Sequence, residues 1–428
     1  MEEQAATDPR DPTVGIIGLG AVGLPLAALM ARAGLNLVLV DASEDRIEQL
    51  RRGESPLRHL PHGIVDQLGN ATVTTSEEAL GLCDVAIICV PTPLRSDRTP
   101  DLSAVRKAAI GAAEFVRQGA LVVLESTTWP GTTRHVLGKL FADRPDVDLA
   151  YSPERVDPGR VDPTRDGGDP LGAGVPKLVG GVSPRATARA AELYRRAFET
   201  VIEVGSSDVA EAAKLVENIH RAVNIALVGE LKIAFDAMGL DIWEVLDAAE
   251  TKPFGFTRFD PGPGMGGHCL PIDPFYLSWA AKRAGSETRF VELSGEINRA
   301  MPRFVADKTR SALRSIQVDV AGARVLLVGV AYKRGVGIVE ESPAFPIAAA
   351  LSADGATVTY ADPLVPTCAL GASVEVTESN LAEVDAVVIL VDQEGVDLGI
   401  VAKSQAVVVD TRAALRAELL GSSRYFMA

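Results

Sequence analysis

The sequence predicts an α/β protein in which two parallel-sheet domains are joined by a central helical domain with one long helix. Two observations lead to this fold. Short β-branched runs alternate with helix-like segments toward both ends of the chain, whereas the middle lacks strand-like runs. A chain of 428 residues is also too long for one ordinary hydrophobic core. We therefore expect three domains, at residues 1–204, 205–302 and 303–428.

The N-terminal domain opens with a β-α-β pattern. "TVGIIGLG" predicts a strand that ends in glycine, "AVGLPLAALMARAG" predicts a helix, and "NLVLVD" predicts a second strand. "CDVAIICV" and "GALVVLES" predict further strands, separated by helical segments such as "DLSAVRKAAIGAAEFVRQ". This alternation is typical of a parallel, doubly wound sheet.

The middle of the chain predicts one long helix. "SDVAEAAKLVENIHRAVNIALVGELKIAFDAMG" begins at Ser207, contains no proline and ends at Gly239, and Glu211 stands at a capping-box position near its start. Apolar residues line more than one side of this helix, so other elements or a second subunit must cover it. The residues alone leave open which of the two covers it.

Strand-like runs return after "MPRFVADKTRSAL" as "ARVLLVGVAYK", "ATVTYADP", "VDAVVILVD" and "QAVVVDTR". They predict a second, smaller α/β domain. This domain lacks a GxGxxG motif after its first strand. Any phosphate that it binds must therefore be held by different groups.

Composition excludes several classes of partner. A net charge of −15 and a pI near 4.9 argue against nucleic acid and anionic membranes, because both need a basic surface. Glycines and a proline interrupt the uncharged stretch from Val14 to Ala31, which argues against a membrane span. The acidic N-terminus argues against a signal peptide. We expect a reduced, cytoplasmic protein without a metal, because no CxxC spacing links the cysteines Cys83, Cys89, Cys269 and Cys368.

A GxGxxG motif from Gly18 to Gly23 lies between the first strand and the first helix. In this context the glycines allow a tight turn and a close approach to a pyrophosphate at the helix N-terminus. Asp41 ends the next strand, where a carboxylate accepts ribose hydroxyls and repels a 2′-phosphate. The sequence therefore predicts a Rossmann-like domain that binds NAD, with "VPTP" and "STTWPG" at the same edge of the sheet.

The loop "GPGMGGHCLPID", residues 262–273, contains Cys269. One interpretation is a tight turn in which the cysteine only fills space. The other is a nucleophile, with glycines that leave room for a substrate and Asp273 close enough to hold a base or a water. Lys214 and Asn218 lie one helical turn apart on the same face, although a lysine on a helix is usually solvated. The residues alone leave both interpretations open.

Eight motifs in order resemble the UDP-glucose/GDP-mannose dehydrogenase family over essentially the whole chain. They are "GLGAVGLPLA", "VPTPL", "ESTTWPGTT", "SPERVDPG", "KLVENIHRAVN", "GPGMGGHCLPIDP", "GVAYK" with "ESPA", and "DTR". The resemblance implies an N-terminal NAD domain, a central helical domain that builds a dimer, and a C-terminal nucleotide-sugar domain. It also implies a four-electron oxidation of the sugar's C6 alcohol to a carboxylate with two NAD+, through a cysteine thiohemiacetal and a thioester.

The resemblance assigns roles to matching residues. The implied catalytic groups are the nucleophile Cys269, the oxyanion stabilisers Lys214 and Asn218, the supporting carboxylate Asp273, and Glu154 with Thr127 around the hydrolytic water. The cofactor contacts implied by the family and the glycine motif are Gly18, Gly20, Ala21, Val22, Gly23, Asp41, Arg46, Val90, Thr92 and Thr127. The implied substrate contacts are Arg155, Lys214, Asn218, Phe259, Asp260, Gly262, Gly264, Gly266, Lys333 and Arg412.

Two motifs resemble the branch of the family that oxidises UDP-N-acetylhexosamines more than the branch that acts on UDP-glucose: "SPERVDPG" and "TKPFGF" with "PGPGMGGHC". The resemblance thus implies a UDP-N-acetylhexosamine as substrate, with UDP- or dTDP-glucose as the alternative. The segment after "AYK" departs from the family, because Gly335, Gly337 and Ile338 replace acids and Glu340 stands where an arginine is expected. That departure motivates an alternative, a weakly active or non-catalytic nucleotide-sugar-binding homologue. A 3-hydroxy acid dehydrogenase is a third hypothesis, but it leaves Cys269 and the second α/β domain without a role.

Overall fold

The structure is a computed structural model that describes residues 11–57, 60, 63–95, 97–155, 169, 171–267 and 270–428. The chain forms two compact units, which are divided in sequence between Val216 and Glu217. This division falls inside the long central helix. The three domain boundaries expected from the sequence remain predictions.

The first unit is built on an eight-stranded sheet. Its strands are β1 (Thr13–Ile17), β2 (Asn36–Val40), β3 (Thr72–Thr74), β4 (Val85–Ile88), β5 (Leu121–Leu124), β6 (Asp148–Tyr151), β7 (Lys177–Gly181) and β8 (Val201–Glu203). They lie in the order β3-β2-β1-β4-β5-β6-β7-β8. The helices are α1 (Gly23–Arg32), α2 (Glu44–Arg51), α3 (Ser103–Phe115), α4 (Gly138–Leu140) and α5 (Pro184–Tyr194).

Both faces of this sheet are buried, which explains why its strands are short apolar runs without polar alternation. On one face α1 and α5 pack against strand residues such as Ile16 and Leu39. On the other face α3 packs against residues such as Ile17 and Val40. The doubly wound sheet predicted from the sequence is confirmed.

Two strands depart from the predicted parallel arrangement. β7 runs antiparallel to β6, whereas β7 and β8 are parallel to each other and are connected by α5. β7 and β8 are thus a reversed β-α-β unit at the edge of the sheet, an arrangement that is common in large, mostly parallel sheets. The start of β7 consequently lies at the edge where β5 and β6 end.

The second unit follows from the long helix α6 (Ser207–Met238), which spans the division and is confirmed as predicted. Gly239 ends it with a φ of +71°. The remaining helices are α7 (Ile242–Glu250), α8 (Asp273–Arg283), α9 (Arg289–Ser315), α10 (Ala344–Ala353), α11 (Glu378–Leu381), α12 (Leu398–Lys403) and α13 (Arg416–Leu419).

The second sheet is parallel and buried on both faces. Its strands are β9 (Arg324–Val328), β10 (Thr357–Ala361), β13 (Ala386–Ile389), β14 (Val407–Asp410) and β15 (Tyr425–Met427), while β11 (Thr367–Cys368) and β12 (Gly371–Ala372) form a separate hairpin. The order across the sheet is β10-β9-β13-β14-β15. This confirms the second α/β domain predicted from the alternation.

In both sheets, a glycine that follows one strand packs closely against a carbonyl oxygen that follows the adjacent strand. The sequence motifs do not show this similarity. Gly18 follows β1, and a Cβ there would lie 2.6 Å from the carbonyl oxygen of Cys89 after the adjacent β4. Gly329 follows β9, and a Cβ there would lie 2.2 Å from the carbonyl oxygen of Val391 after the adjacent β13. The second sheet therefore repeats the first tight turn without repeating the GxGxxG motif.

This geometry predicts that Gly329→Ala destabilises the protein. Gly329 combines a φ of +76° with the close carbonyl, so alanine adds a clash to backbone strain, and we expect a loss of about 3 kcal/mol or more. Gly322→Ala is the matched control, because Gly322 has a φ of +87° and no protein atom near its Cβ position, which predicts a loss of about 1–2 kcal/mol. Thermal unfolding of both variants measures the difference, and equal losses would contradict the clash.

Candidate active site

The three motif glycines each meet a different physical requirement. Gly18 has a φ of +94° and lies too close to Cys89 for any side chain. A Cβ on Gly23 would lie 1.9 Å from the Gly18 oxygen, so glycine is required where α1 packs on the turn. A Cβ on Gly20 would meet no protein atom within 4 Å, so the space beside it is open to a ligand. This combination fits a pyrophosphate held at the N-terminus of α1.

Other predicted cofactor residues lie at the same edge. Ala21 and Val22 lead into the first turn of α1, where backbone N–H groups lack intrahelical partners. Val90 and Thr92 follow β4, which is the neighbour of β1, and both are half-buried. The hydroxyl of Ser126 donates to the Val90 carbonyl oxygen at 2.7 Å, which ties the loop after β4 to the loop after β5.

Asp41 is buried and holds the glycine turn directly. Its Oδ2 accepts the backbone N–H of Leu19 at 2.8 Å, and its Oδ1 accepts that of Ser43 at 2.9 Å. The Arg46 guanidinium lies 2.9 Å from Oδ2. Each carboxylate oxygen has two acceptor positions. Leu19 and Arg46 occupy both positions of Oδ2, whereas Oδ1 keeps one that a ribose hydroxyl can use. Arg46, which the sequence suggests as a cofactor-phosphate contact, balances the charge of Asp41 in this structure.

Thr127 and Glu154 follow the adjacent parallel strands β5 and β6, so the structure places both at the carboxyl edge of the sheet. Thr127 is half-buried. Oε1 of Glu154 accepts the backbone N–H of Arg155 at 2.8 Å. The Arg155 guanidinium in turn donates to the carbonyl oxygen of Pro176 at 2.8 Å, which fixes this loop against the chain that enters β7.

A buried cluster beside Glu154 was not predicted from the sequence. Lys177 Nζ lies 3.0 Å from Glu125 Oε2 and 3.8 Å from Glu154 Oε2. The Tyr194 hydroxyl donates to Glu125 Oε1. Glu125 and Lys177 lie 52 residues apart, so no local spacing marks them. The sequence offers one hint: Glu125 follows one apolar run and Lys177 begins another.

The capping-box role of Glu211 is wrong. Its carboxylate accepts the backbone N–H groups of Gly131 and Thr133 at 2.6 and 2.8 Å, and the Thr133 hydroxyl at 2.7 Å. Ser206 caps α6 instead, accepting the N–H of Val209 at 3.3 Å. The loop after β5 leaves buried N–H groups without partners, and a carboxylate that accepts them lowers the free energy more than a local cap would. Glu211 therefore anchors the "STTWPGTT" loop to α6.

Asn218 and Asp273, predicted to act together, are in contact. Asn218 Nδ2 donates to Asp273 Oδ2 at 2.6 Å, and both side chains are buried. Asp273 is the first residue of α8, where the helix dipole favours a carboxylate. Lys214 lies one turn before Asn218 on α6, is half-buried and forms no ion pair with any residue that the structure describes.

Cys269, with His268, lies outside the described residues. Desolvation raises the pKa of the Cys83 thiol to about 12 and that of the Cys89 thiol well above its usual value. Neither thiol is a ready nucleophile, since the thiolate is the reactive form. Both cysteines pack in the cores of the first unit.

Predicted substrate residues lie on the loop before the cysteine. Phe259 is half-buried and contacts the His220 ring edge-to-face with centroids 5.9 Å apart. Asp260 is exposed and lies 2.8 Å from Arg258. Arg258 also bonds to Asp247, so Asp260 shares a partly balanced surface cluster.

Arg412, a predicted substrate contact, lies beside the loop that contains Gly262. Its Nε donates to the Leu390 carbonyl oxygen at 2.9 Å, and a Cβ on Gly262 would lie 2.9 Å from its NH1. Desolvation lowers the pKa of Arg412, and within the described ranges no carboxylate oxygen reaches ion-pair distance. Lys333, the second predicted cation, is half-buried and lies 5.7 Å from the Tyr332 ring centroid.

The glycines of the cysteine loop also serve packing. Gly264 has a φ of +136°, and its Cβ position lies 3.2 Å from Pro343. A Cβ on Gly266 would lie 2.6 Å from the Tyr332 side chain, and one on Gly267 2.9 Å from the Tyr332 ring. The loop thus lies directly against residues that follow β9, in addition to any clearance that it leaves for a sugar.

Comparisons with known proteins identify the family. Models of the UDP-glucose/GDP-mannose dehydrogenase family match residues 12–198 with its NAD binding domain, 208–300 with its central domain and 326–417 with its UDP binding domain. The chain belongs to this family. It is an NAD-dependent nucleotide-sugar dehydrogenase, and the predicted resemblance, fold class and cofactor are confirmed.

Individual relatives cover most of the chain. It is 32% identical over 367 residues to UDP-N-acetyl-D-mannosamine dehydrogenase of Salmonella typhi, covering 79% of this chain and 82% of that protein. It is 34% identical over 331 residues to UDP-N-acetyl-D-glucosamine 6-dehydrogenase of Pseudomonas aeruginosa, covering 76% of each. The solved structure of UDP-D-ManNAc dehydrogenase from Pyrococcus horikoshii matches with a TM-score of 0.81 and 31% identity, over 93% of this chain and 94% of that one.

The segment that departs from the dehydrogenase family pattern has its own packing. Gly335 has a φ of +79°, and its N–H donates to the Gln393 side chain at 2.8 Å. A Cβ on Gly337 would lie 2.3 Å from the Leu364 carbonyl oxygen. Glu340 is exposed, and its carbonyl oxygen accepts the Gly267 N–H at 2.9 Å. Both replacement glycines are therefore required by the local backbone.

The described part of this dehydrogenase contains no helix that is long and apolar enough to cross a bilayer.

The Asp41–Arg46 pair predicts a change in cofactor preference. Asp41→Asn leaves the Arg46 charge unopposed beside the ribose position, so we expect the ratio of the NADPH and NADH dissociation constants to shift at least about tenfold toward NADPH. Damage to the turn affects both cofactors and cancels in the ratio. Calorimetric titration measures it, with Glu44→Gln as an exposed control of equal charge change. An unchanged ratio would contradict the electrostatic role.

Glu211 predicts a pH dependence of stability. Burial raises its pKa to about 7 from 4.5, so the folded state holds this proton more tightly than the unfolded chain. The protonated Glu211 carboxyl stabilises the folded state fully below about pH 4.5. This contribution, about 3 kcal/mol, is lost as the pH rises through about 7. The free energy of unfolding of the native protein, minus that of Glu211→Gln, should fall by about 2 kcal/mol or more from pH 5 to pH 8, because only the native carboxyl ionises. Unfolding curves test this, and a pH-independent difference would exclude it; Glu192→Gln on the exposed face of α5 is the control.

Proposed function

We propose that the protein oxidises the C6 alcohol of a UDP-N-acetylhexosamine to the uronic acid with two NAD+. The support for the sugar comes from relatives named for UDP-N-acetyl-D-mannosamine and UDP-N-acetyl-D-glucosamine. The main alternatives are UDP- or dTDP-glucose as substrate. The replaced arginine position at Glu340 favours one further candidate, a weakly active nucleotide-sugar-binding homologue.

The observation that carries the proposal is the hydrogen bond between Asn218 and Asp273. Asp273 lies four residues after Cys269, so the contact brings the proposed oxyanion stabiliser on α6 to the end of the cysteine loop. A buried amide and carboxylate at 2.6 Å hold each other's orientation, which is the fixed polar environment that oxyanion stabilisation requires. Lys214, one turn away, adds a positive charge that favours both a thiolate and an oxyanion.

In the proposed mechanism the Cys269 thiolate attacks the C6 aldehyde formed by the first oxidation. NAD+, when bound, would supply the hydride acceptor for each of the two oxidations. Lys214 and Asn218 stabilise the hemiacetal oxygen, and Asp273 supports the base that removes the alcohol proton. Glu154 then takes a proton from the water that hydrolyses the thioester, with Thr127 holding that water. The role of Cys269 rests on the family match, and the other five roles rest on the family match together with the placement described above.

Substrate capture is proposed to depend on local cations. The chain carries a net charge of −15, so a nucleotide diphosphate is repelled by the molecule as a whole. Arg412 presents a partly desolvated guanidinium beside Gly262 without an ion-pair partner among the described residues, and Lys333 adds a second charge. Guanidinium groups bind phosphate oxygens in pairs, which favours Arg412 as the main contact.

The proposal includes a cytoplasmic homodimer. Helix α6 exposes large apolar side chains along its length, among them Val216, Leu227 and Met238. Exposed apolar groups at repeated positions on one helix favour coverage by another protein surface. The cytoplasmic location is supported by the absence of CxxC spacing among the cysteines.

Counting NADH per sugar tests the function. We expect two NADH for each UDP-N-acetylhexosamine consumed, and slower turnover with UDP- and dTDP-glucose in the same panel. Cys269→Ala should form no uronate while binding NADH nearly as the native protein does, because the thiol is not part of the cofactor turn.

Each other result has a definite meaning. One NADH per sugar would overturn the thioester mechanism. Faster turnover of UDP-glucose would replace the sugar assignment. Nucleotide-sugar binding without NADH formation across the panel would support the binding homologue. Uronate formation by Cys269→Ala would remove the cysteine from the mechanism.

A further inference from the structure

The buried cluster of Glu125, Lys177 and Tyr194 lies behind Glu154 and has no role in the mechanism so far. All three side chains are almost inaccessible to solvent. A buried lysine is costly unless it is paired, so a cluster of this kind needs either a structural or a functional explanation.

The sheet topology places this cluster at the edge of the first sheet where Glu154 lies. Glu125 directly follows β5, and Lys177 is the first residue of β7. In the antiparallel pairing of β6 and β7, Tyr151 lies opposite Gly180. Continuing that register places Glu154 opposite Lys177. Had β7 been parallel to β6, its first residue would lie at the opposite edge of the sheet, away from Glu154.

Electrostatics keep the lysine charged and fixed. Burial alone would lower the pKa of Lys177, but the Glu125 and Glu154 carboxylates outweigh burial and raise it. The Lys177 ammonium also lies 5.1 Å from the Tyr194 ring centroid and 5.2 Å from that of Phe198. Glu125 accepts hydrogen bonds at both oxygens, from Lys177 and from Tyr194. The ammonium therefore has little freedom to move.

Glu154 is the member of this cluster that reaches solvent. Its side chain is 21% exposed, whereas those of Lys177 and Glu125 are 3% and 0% exposed. Its Oε1 accepts the Arg155 N–H, and its Oε2 faces the Lys177 ammonium at 3.8 Å. The Arg155 N–H and the Lys177 ammonium thus both hold this partly exposed carboxylate.

We propose that Lys177, fixed by Glu125 and Tyr194, is a positioning residue that aims the Glu154 carboxylate at the water for thioester hydrolysis. This inference rests on the proposed function of Glu154. In that step the water oxygen forms a bond to the acyl carbon, the carbon–sulfur bond breaks, the cysteine thiolate leaves, and Glu154 takes a proton from the water. No electrons are transferred, so the two preceding oxidations are independent of Lys177.

The step-specific role predicts a specific kinetic defect. Lys177→Met retains the length of the side chain without its charge. We expect its steady-state rate to fall at least tenfold, while the rapid initial release of two NADH per active site keeps its native rate. Intact-protein mass spectrometry during turnover should show an acyl-enzyme in Lys177→Met and in Glu154→Gln. Lys177→Arg should recover most of the steady-state rate, because it restores the charge.

A matched control separates this role from general loss of stability. Lys232 is also buried, lies 3.6 Å from Asp236 and donates to the Met427 carbonyl oxygen at 2.9 Å, far in sequence from Glu154. Lys232→Met should lower the melting temperature without accumulating acyl-enzyme. If Lys177→Met fails to fold, Glu125→Gln replaces it, since it frees the ammonium and should show a weaker form of the same defect.

The outcomes distinguish this inference from the proposed function. An acyl-enzyme in Glu154→Gln but in neither Lys177→Met nor Glu125→Gln would overturn the role of Lys177 alone. An equal fall in the initial and steady-state rates of Lys177→Met would show a structural role instead and would also overturn it. Fewer than two NADH per sugar in the native protein would overturn the proposed function itself.

Discussion

Buried carboxylates that accept backbone N–H groups hold the loops on which the binding residues depend. A chain that leaves a parallel strand exposes N–H groups with no ladder partner, and burying them unpaired costs about 1–3 kcal/mol each. One carboxylate accepts several such groups and is stabilised by them in return. The carboxylates in this position are Asp41 and Glu211 in the first unit, and Asp362 and Asp410 in the second.

These anchors determine where the functional groups point. Asp41 holds the turn that leaves Gly20 open to a pyrophosphate. Asp410 accepts the N–H of Arg412, whose guanidinium then lies against Gly262. Glu211 holds the loop that follows Thr127. Acidic residues thus have a structural use that is independent of the net charge, and the rigidity they give is what preorganised binding requires.

Local patterns in the sequence predict much of this molecule because its sheets are buried on both faces. Strands of that kind are short apolar runs, and the glycine motif with Asp41 has fixed spacing, so both are visible without a structure. Glu211 shows the limit. Its position next to a helix start fits a capping box, yet its partners lie 78 and 80 residues away. Glu125 and Lys177 lie 52 residues apart, and their pairing depends on the reversal of β7, which no local pattern shows.

Two cations in this acidic chain show how partners decide function. Lys177 is buried with two carboxylates within 4 Å. These carboxylates balance its charge inside the protein, so it attracts no external anion. The Arg412 guanidinium binds a backbone carbonyl through Nε, and desolvation strengthens its attraction for an incoming phosphate. The type of residue is a poor guide to these roles, because both are partly or fully withdrawn from water. The deciding difference is ion pairing: Lys177 has two carboxylates within 4 Å, whereas Arg412 has none at ion-pair distance among the described residues. For this reason we propose Arg412, and not Lys177, as the substrate contact.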